Sequence, residues 1–123
     1  MKKAISLFLA LVMLVSVFAG LGITAYAADA QTLWVDPVNG SDSAAGTQVA
    51  PLQTIEKAKA AAAALSAGGD VTVWLHGGTY RVSNAITFTS ADSGKNGHVI
   101  TYKAVSGEVP VISGGTPITG WTI

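Results

Sequence analysis

The side chains that could perform acid–base chemistry in this sequence are seven carboxylates and two histidines, and they are scattered along the chain. Glycoside hydrolysis needs two facing carboxylates, about 5 Å apart for retention and more than about 6.5 Å apart for inversion. Each acid lies in a predicted turn, loop or helix start, and none forms a persuasive pair: Asp29, Asp36, Asp42, Glu56, Asp70, Asp92 and Glu108. We therefore assign no catalytic residue.

Three oxygen-bearing side chains lie close together in the sequence and could bind calcium. Asp36, Asn39 and Asp42 do not follow the alternating ligand spacing of an EF-hand loop. Asp and Asn also favour turns, because their side chains bond to the nearby backbone. We interpret this stretch as a structural loop and assign no metal ligand and no cofactor-binding residue.

The two histidines and one arginine give no better signal for catalysis. His76 and His98 lie at the ends of predicted strands, and the chain has no cysteine that could complete a thiolate zinc site. We interpret both histidines as surface or corner residues. Arg81 could be considered as the base of a lyase, but nothing in the sequence positions a substrate near it.

Five aromatic residues could stack on sugar rings, although such residues more often fill a core. They are Trp34, Trp74, Trp121, Tyr80 and Tyr102. Trp74 alternates with the apolar residues Val71, Val73 and Leu75, so it is the candidate for an exposed platform.

The first residues have the features of a secretory signal peptide. Lys2 and Lys3 precede an apolar stretch, and the sequence Ala-Tyr-Ala at positions 25–27 provides a cleavage site. We predict that residues 1–27 are removed and that the protein is secreted. The alternative is an uncleaved membrane anchor, because the apolar run approaches the roughly 20 residues that span a bilayer.

The predicted mature piece, residues 28–123, is slightly acidic. Without Lys2 and Lys3, five basic residues remain against seven acidic ones: Lys57, Lys59, Arg81, Lys95 and Lys103. No basic patch supports nucleic-acid binding. The absence of cysteine excludes disulfides, so the stability of the fold depends on packing.

One helix is predicted, followed by short strands and turns. Thr54 can cap the helix, Ile55, Ala58, Ala62 and Leu65 share one face, and Gly68 with Gly69 predicts a left-handed stop. The predicted strands lie in the stretches QTLWVDP, DVTVWLHGGTYRV, AITFT, HVITYKA, VPVIS and PITGWTI. Short strands with glycine corners fit a sandwich or a solenoid of stacked coils, and periodicity does not choose between them.

A family resemblance favours the solenoid. The order LWVDPVNGSDSAAGT, APLQTIEKAKAAA, VTVWLHGGTYRV, GHVITYKAVSGEVPVISGG and ITGW resembles the N-terminal region of secreted bacterial right-handed parallel β-helix proteins. These form the pectate-lyase-like superfamily, with polysaccharide lyases and β-helical glycoside hydrolases. His76 departs from the pattern, since such proteins often have proline there.

The resemblance implies a mainly β fold in which the alanine-rich helix caps the open end of a right-handed parallel β-helix. Glycines 77, 78, 114 and 115 would be coil corners. Residues 28–123 would then hold the cap and the first one or two coils of a truncated domain, in which Ile118 and Trp121 await cover by a following coil.

The resemblance further implies a polysaccharide substrate for the full-length protein, cleaved by hydrolysis or by β-elimination. It also makes calcium a candidate cofactor of the full-length protein. The 123-residue chain alone would be inactive. Two alternatives stay open: a non-catalytic, adhesin-like cell-surface or carbohydrate-binding β-helix protein, attached through a missing C-terminal region, and a complete small secreted domain.

Overall fold

The computed structural model describes residues 30–121, so the predicted signal peptide, residues 1–27, lies outside the described residues. Strands, one α-helix and a short 3-10 helix follow one another along this part of the chain. In order they are β1 (Gln31–Val35), α1 (Ile55–Leu65), β2 (Val71–Leu75), β3 (Gly78–Arg81), the 3-10 helix (Ser90–Asp92), β4 (Ile100–Ala104) and β5 (Pro110–Ser113).

The strands form two parallel sheets. The first sheet has the order β1-β2-β4, and the second pairs β3 with β5. Leu33, Val73 and Tyr102 are partners across the first sheet, and Tyr80 pairs with Ile112 in the second. The chain thus passes from the first sheet to the second twice in succession, from β2 to β3 and from β4 to β5. Antiparallel sandwiches do not have this topology, and the arrangement is consistent with the start of a β-helix.

Sharp corners join the two sheets. His76 and Gly77 separate β2 from β3, so the predicted strand from Val71 ends at Leu75, ahead of the predicted glycine corner, and the Gly-Thr-Tyr segment is part of β3. Gly78 has a φ of 126°, and a Cβ there would meet the ring of Pro37 at 2.9 Å. Only glycine fits this corner without a shift in its surroundings.

The core lies between the inner face of the first sheet and helix α1. Successive side chains of a strand point to opposite faces, and the buried residues of β1 and β2 alternate accordingly. The predicted alternation of Val71, Val73 and Leu75 is therefore confirmed. The buried apolar residues are Leu33, Val35, Leu52, Ile55, Ala58, Ala62, Val71, Val73, Leu75 and Tyr80.

Helix α1 begins as predicted and ends differently. The Thr54 side chain accepts a hydrogen bond from the Lys57 N–H, which confirms the N-cap, and the predicted apolar face packs on the core. The left-handed stop at Gly68 and Gly69 is wrong, because neither glycine has a positive φ. Polar side chains bind the last carbonyls instead: the Gln31 amide donates to the Leu65 carbonyl, and the Ser66 hydroxyl donates to that of Ala63.

The backbone edge of β1 is covered by a loop and not by the helix. The Trp34 N–H donates to the Gly46 carbonyl, the Leu52 N–H donates to the Trp34 carbonyl, and the Asp36 N–H donates to the Leu52 carbonyl. Residues 46–52, here called the edge loop, therefore satisfy the outward backbone groups of this edge strand at Trp34 and Asp36. The helix covers apolar side chains, so the capping that the resemblance gave to the helix alone is divided between two segments.

Two predicted strands are absent from the described residues. Residues 85–89 form no strand ladder and instead lie beside helix α1. The Lys59 ammonium of the helix binds the Thr87 carbonyl at 2.7 Å and the Asp92 carboxylate at 3.3 Å. Residues 117–121 form no strand either, and Thr122 and Ile123 lie outside the described range. Predicted strands at 98–104 and 109–113 are present but begin later, at Ile100 and Pro110.

Candidate functional site

The outer face of the first sheet carries two rows of side chains that cross three strands. Parallel register places Thr32, Thr72 and Thr101 in one row, and it places Trp34, Trp74 and Lys103 in the other. Because side chains alternate along a strand, both rows point away from the apolar core. Helix α1 packs on the core, and the row residues are exposed at Thr32 and Lys103 and partly buried at the other four positions.

The indole rings of the second row are stacked. The ring centroids of Trp34 and Trp74 are 5.9 Å apart with an interplanar angle of 24°, and the Lys103 ammonium lies 5.6 Å from the Trp74 ring centroid. Since β2 lies between β1 and β4, Trp74 is flanked by Trp34 on one side and by Lys103 on the other. Trp74 is thus a partly buried ring between two partners, and not the free platform for which it was a candidate.

A histidine–carboxylate pair adjoins the stack at the sheet corner. His76 Nδ1 lies 3.1 and 3.2 Å from the two carboxylate oxygens of Glu108, and the His76 ring lies 5.6 Å from the Trp34 ring. Glu108 also accepts a 2.6 Å hydrogen bond from the Gly77 N–H. That bond, together with His76, holds the pKa of Glu108 below its usual range. We call Trp34, Trp74, His76, Lys103 and Glu108 the outer cluster.

The outer cluster has the chemistry of a binding surface and not that of a hydrolytic site. Glu108 is committed to His76 and Gly77, and the nearby Asp36 carboxylate accepts from the backbone N–H groups of Val38 and Asn39. Neither carboxylate is free to act as a general acid, which needs a raised pKa. Indole N–H groups, an ammonium and a carboxylate can instead hydrogen-bond a hydroxyl-rich ligand.

The carboxylates of the candidate calcium loop are used as backbone caps. Asp42 accepts from the N–H groups of Gln53 and Thr54 at 3.0 and 2.9 Å and from the Thr54 hydroxyl at 2.8 Å. Asn39 donates its side-chain amide to Asp36 at 3.1 Å. Within residues 30–121, no group of three His, Asp or Glu residues is arranged to hold a metal ion.

Burial alone would raise the pKa of the Asp36 and Asp42 carboxyls, but hydrogen bonds outweigh it. Asp36 is surrounded by donors from Asn39 and Val38, and Asp42 by donors from Thr54 and Gln53. Both pKa values therefore lie below the usual range for aspartate. The two carboxylates stabilise the loop in their charged form.

The other polar candidates lie apart from the outer cluster. His98 is 3.3 Å from the Asp70 carboxylate, and the Arg81 guanidinium donates to the Gly115 carbonyl at 3.3 Å. These contacts join neighbouring strands and the chain that follows β5. They do not bring Arg81 into a constellation with a carboxylate or a histidine.

The remaining aromatic candidates have different surroundings. Tyr80 is 3% exposed, and its single hydroxyl proton is shared between the carbonyls of Val35 and His76, each 2.9 Å from the hydroxyl oxygen. Tyr102 is half-buried and meets Phe88 edge to face at 5.8 Å. Trp121 is 81% exposed. Tyr80 is thus a core residue, and Trp121 contributes to no pocket described here.

The sequence did not reveal Lys103 as a partner of Trp74 or Glu108 as a partner of His76. A signal was available, because Trp34 and Trp74 both occupy outward positions next to buried valines in their strands. Parallel register was needed to bring them together, and register depends on contacts between distant segments.

No helix within residues 30–121 has the length and the apolar character needed to cross a membrane. The predicted leader, and with it the uncleaved anchor, lies outside this range.

The sequence comparisons find similarity to a pectate lyase. No protein-family model matches the chain. Pectate lyase PEL9 of Emericella nidulans is 40% identical over 105 residues, a match that covers 82% of this chain and 23% of the lyase. The chain therefore spans less than a quarter of this relative. Because the relative is fungal, the match leaves the predicted bacterial origin untested.

Solved structures give a similar result. A glycoside hydrolase matches with a TM-score of 0.69 and 29% identity, covering 76% of this chain and 16% of that chain. A structure of XylC in complex with xylose matches with a TM-score of 0.50 and 30% identity, covering 76% of this chain and 13% of that chain. Together, the sequence relative and the solved structures support the pectate-lyase-like superfamily of parallel β-helix proteins for this chain.

Proposed function

We propose that this chain begins a secreted protein that degrades a polysaccharide, and that its described residues start a right-handed parallel β-helix. The observation that carries the proposal is the 40% identity to a pectate lyase across 82% of the chain. The in-register parallel sheets and the match to a glycoside hydrolase support it. Export with cleavage after Ala27 belongs to the same proposal.

The role of the described residues in that function is structural support and substrate contact. Five carboxylates within residues 30–121 accept hydrogen bonds from backbone N–H groups: Asp36, Asp42, Asp70, Asp92 and Glu108. The Arg81 guanidinium is bonded to the Gly115 carbonyl. The catalytic residues would then be supplied by parts of the protein that correspond to the unmatched length of the relatives, of which this chain spans 23%, 16% and 13%.

The test compares the natural full-length protein with the 123-residue chain on polygalacturonate and on xylan. A lyase produces both new reducing ends and an unsaturated product that absorbs ultraviolet light, whereas a hydrolase produces new reducing ends alone. We expect activity from the full-length protein on one polymer and none from the 123-residue chain. Parallel assays with calcium and with a chelator test the cofactor.

Other outcomes would refute the proposal. A full-length protein that binds a polysaccharide without releasing reducing ends would be a non-catalytic binding protein. Mass spectrometry of the exported product tests the leader, because cleavage after Ala27 predicts an N-terminus at Ala28. An intact N-terminus in a membrane fraction would show an anchor instead.

A further inference from the structure

The outer cluster is open to solvent and is built from several strands. His76 and Glu108 retain side-chain exposures of 25% and 37%, and Trp34 and Trp74 are only partly buried. The cluster draws on β1, β2, β4 and the corners that follow β2 and β4. A ligand lying across these strands would contact several side chains at once.

Two adjacent rows offer the two kinds of contact that a sugar chain needs. The threonine row presents hydroxyls, which both donate and accept hydrogen bonds. The row of Trp34, Trp74 and Lys103 lies two residues further along each strand, about 7 Å away. Its indoles combine an apolar ring with an N–H donor, and strands spaced by about 4.8 Å repeat the pattern in the perpendicular direction.

The stack leaves one ring face uncovered by another ring. Trp74 and His76 both contact Trp34, and both belong to the β2 side of β1. Within residues 30–121 no further aromatic ring stacks on Trp34, and the edge loop, residues 46–52, borders it through the Gly46 and Leu52 bonds. Trp34 is only partly buried and lies at the β1 end of the row, so its indole is the apolar element that a ligand at this edge of the sheet would meet.

The charges around the cluster favour a neutral ligand over an acidic one. Lys103 makes no ion pair with a described residue, which leaves its ammonium able to donate to a hydroxyl. Glu108 lies at the corner beside His76, and Asp36 follows Val35 directly opposite that corner. With Glu108 bonded to His76, the cluster and its surroundings offer Lys103 as the one ammonium and Asp36 and Glu108 as carboxylates, a balance that gives a polyuronate no net attraction. Sugar hydroxyls can donate to carboxylates and accept from the ammonium.

We propose that the outer cluster binds a neutral polysaccharide chain, with Trp34 as the stacking residue and Lys103 as a hydrogen-bond donor. This inference rests on the proposed function and adds the substrate class. The surface would hold polymer at the N-terminal end of the protein, apart from the residues that cleave it.

The experiment uses the natural full-length protein and three single variants: Trp34→Leu, Lys103→Met and Lys95→Ala. Isothermal titration calorimetry measures the affinity for a linear xylo-oligosaccharide and for an oligogalacturonate of the same length. The titration is run at low temperature so that cleavage of the ligand is slow. We expect Trp34→Leu and Lys103→Met each to weaken xylo-oligosaccharide binding about threefold to tenfold. Lys95→Ala, an exposed lysine outside the cluster, controls for a general loss of positive charge.

Two results would overturn the inference. Unchanged xylo-oligosaccharide affinity in both cluster variants would show that the cluster does not bind the neutral chain. A larger loss for the oligogalacturonate in Lys103→Met would show that the surface binds acidic chains. If Trp34→Leu fails to fold, the exposed Lys103 still gives an answer. Activity of the unaltered protein tests the proposed function separately, so either idea can fail while the other stands.

Discussion

Tyr80 and Tyr102 both have buried phenol oxygens, yet only one of these oxygens has partners among the described residues. The Tyr80 hydroxyl lies 2.9 Å from the carbonyls of Val35 and His76, so it joins strand β1 to the corner after β2. The Tyr102 hydroxyl is buried without a hydrogen-bond partner. Burial raises the pKa of both phenols, which keeps both in the neutral form that can donate.

We predict opposite effects from removing the two hydroxyls. Tyr80→Phe should lower the unfolding free energy by about 1–2 kcal/mol, because a buried carbonyl loses its donor. Tyr102→Phe should leave stability unchanged or raise it, because an unsatisfied polar atom is removed. Chemical denaturation of the two variants measures the difference. Equal losses in both would mean that the Tyr80 bonds contribute nothing specific.

Single elements are joined to their neighbours by buried or capping polar groups, and Asp42 is the main example. Its carboxylate binds the N–H groups of Gln53 and Thr54, directly before helix α1 begins. The turn-rich loop is thereby fixed to the helix N-terminus, where the helix dipole favours a negative charge.

We predict that acid weakens this junction. The folded-state pKa of Asp42 is lowered, so its stabilising contribution is present above the unfolded value of about 4 and is lost as the pH falls through the folded value. Denaturation between neutral pH and about pH 3 should show falling stability in the unaltered protein. Asp42→Asn should start from lower stability and decline less steeply. An identical pH slope in the two proteins would contradict this role.

Helix α1 depends on small side chains where it meets the sheet. Ala58 and Ala62 are fully buried, so a larger residue has no space. Ala62→Leu should cost about 1–3 kcal/mol through overpacking. Ala60→Leu, on the exposed side of the same helix, is the matched control with little expected change. Thermal unfolding of both variants measures the contrast, and equal melting temperatures would show that the interface is loose.

Local signals in the sequence predicted helix α1 and the inward residues of β2, because Thr54, the alanine face and the valine alternation act over a few residues. The predicted strand at residues 85–89 is wrong because strand propensity needs a neighbouring edge to pair with, and Lys59 holds Thr87 beside the helix instead. The outer cluster could not be predicted either, since Trp34 and Trp74 meet only through parallel register.

At the scale of the molecule, the two edge strands of the first sheet, β1 and β4, have different surroundings. The edge loop binds the free side of β1 at Trp34 and Asp36, whereas β4 follows β2 as the last strand of the sheet among the described residues. In a parallel pair, alternate residues point their N–H groups to one neighbour. The Val71 N–H donates to the Val99 carbonyl, and the Val105 N–H donates to the Leu75 carbonyl. Counting back from Val105 by twos, Lys103 and Thr101 also point their N–H groups to β2. The N–H groups of Tyr102 and Ala104 therefore point away from β2.

We predict an alternating pattern of amide hydrogen exchange along β4. In the 123-residue chain, Thr101 and Lys103 should exchange slowly and Tyr102 and Ala104 quickly, because only the first pair donates to β2. In the natural full-length protein, a further paired strand would slow all four. Fast exchange at Tyr102 and Ala104 in both proteins would argue against continued stacking on this edge.

Because helix α1 and the edge loop cap one end of the parallel sheets, new strands can be added to the sheets at the other end. Residues 46–52 occupy the free edge of β1 at Trp34 and Asp36 and so hinder pairing of another strand there, while β4 and β5 can each accept a parallel neighbour on the same side. A ribosome releases the N-terminal residues first. The capped strand β1 is therefore synthesised before the strands that pair after it. Each strand that follows can pair with a strand that is already folded, so folding can proceed in the order of synthesis.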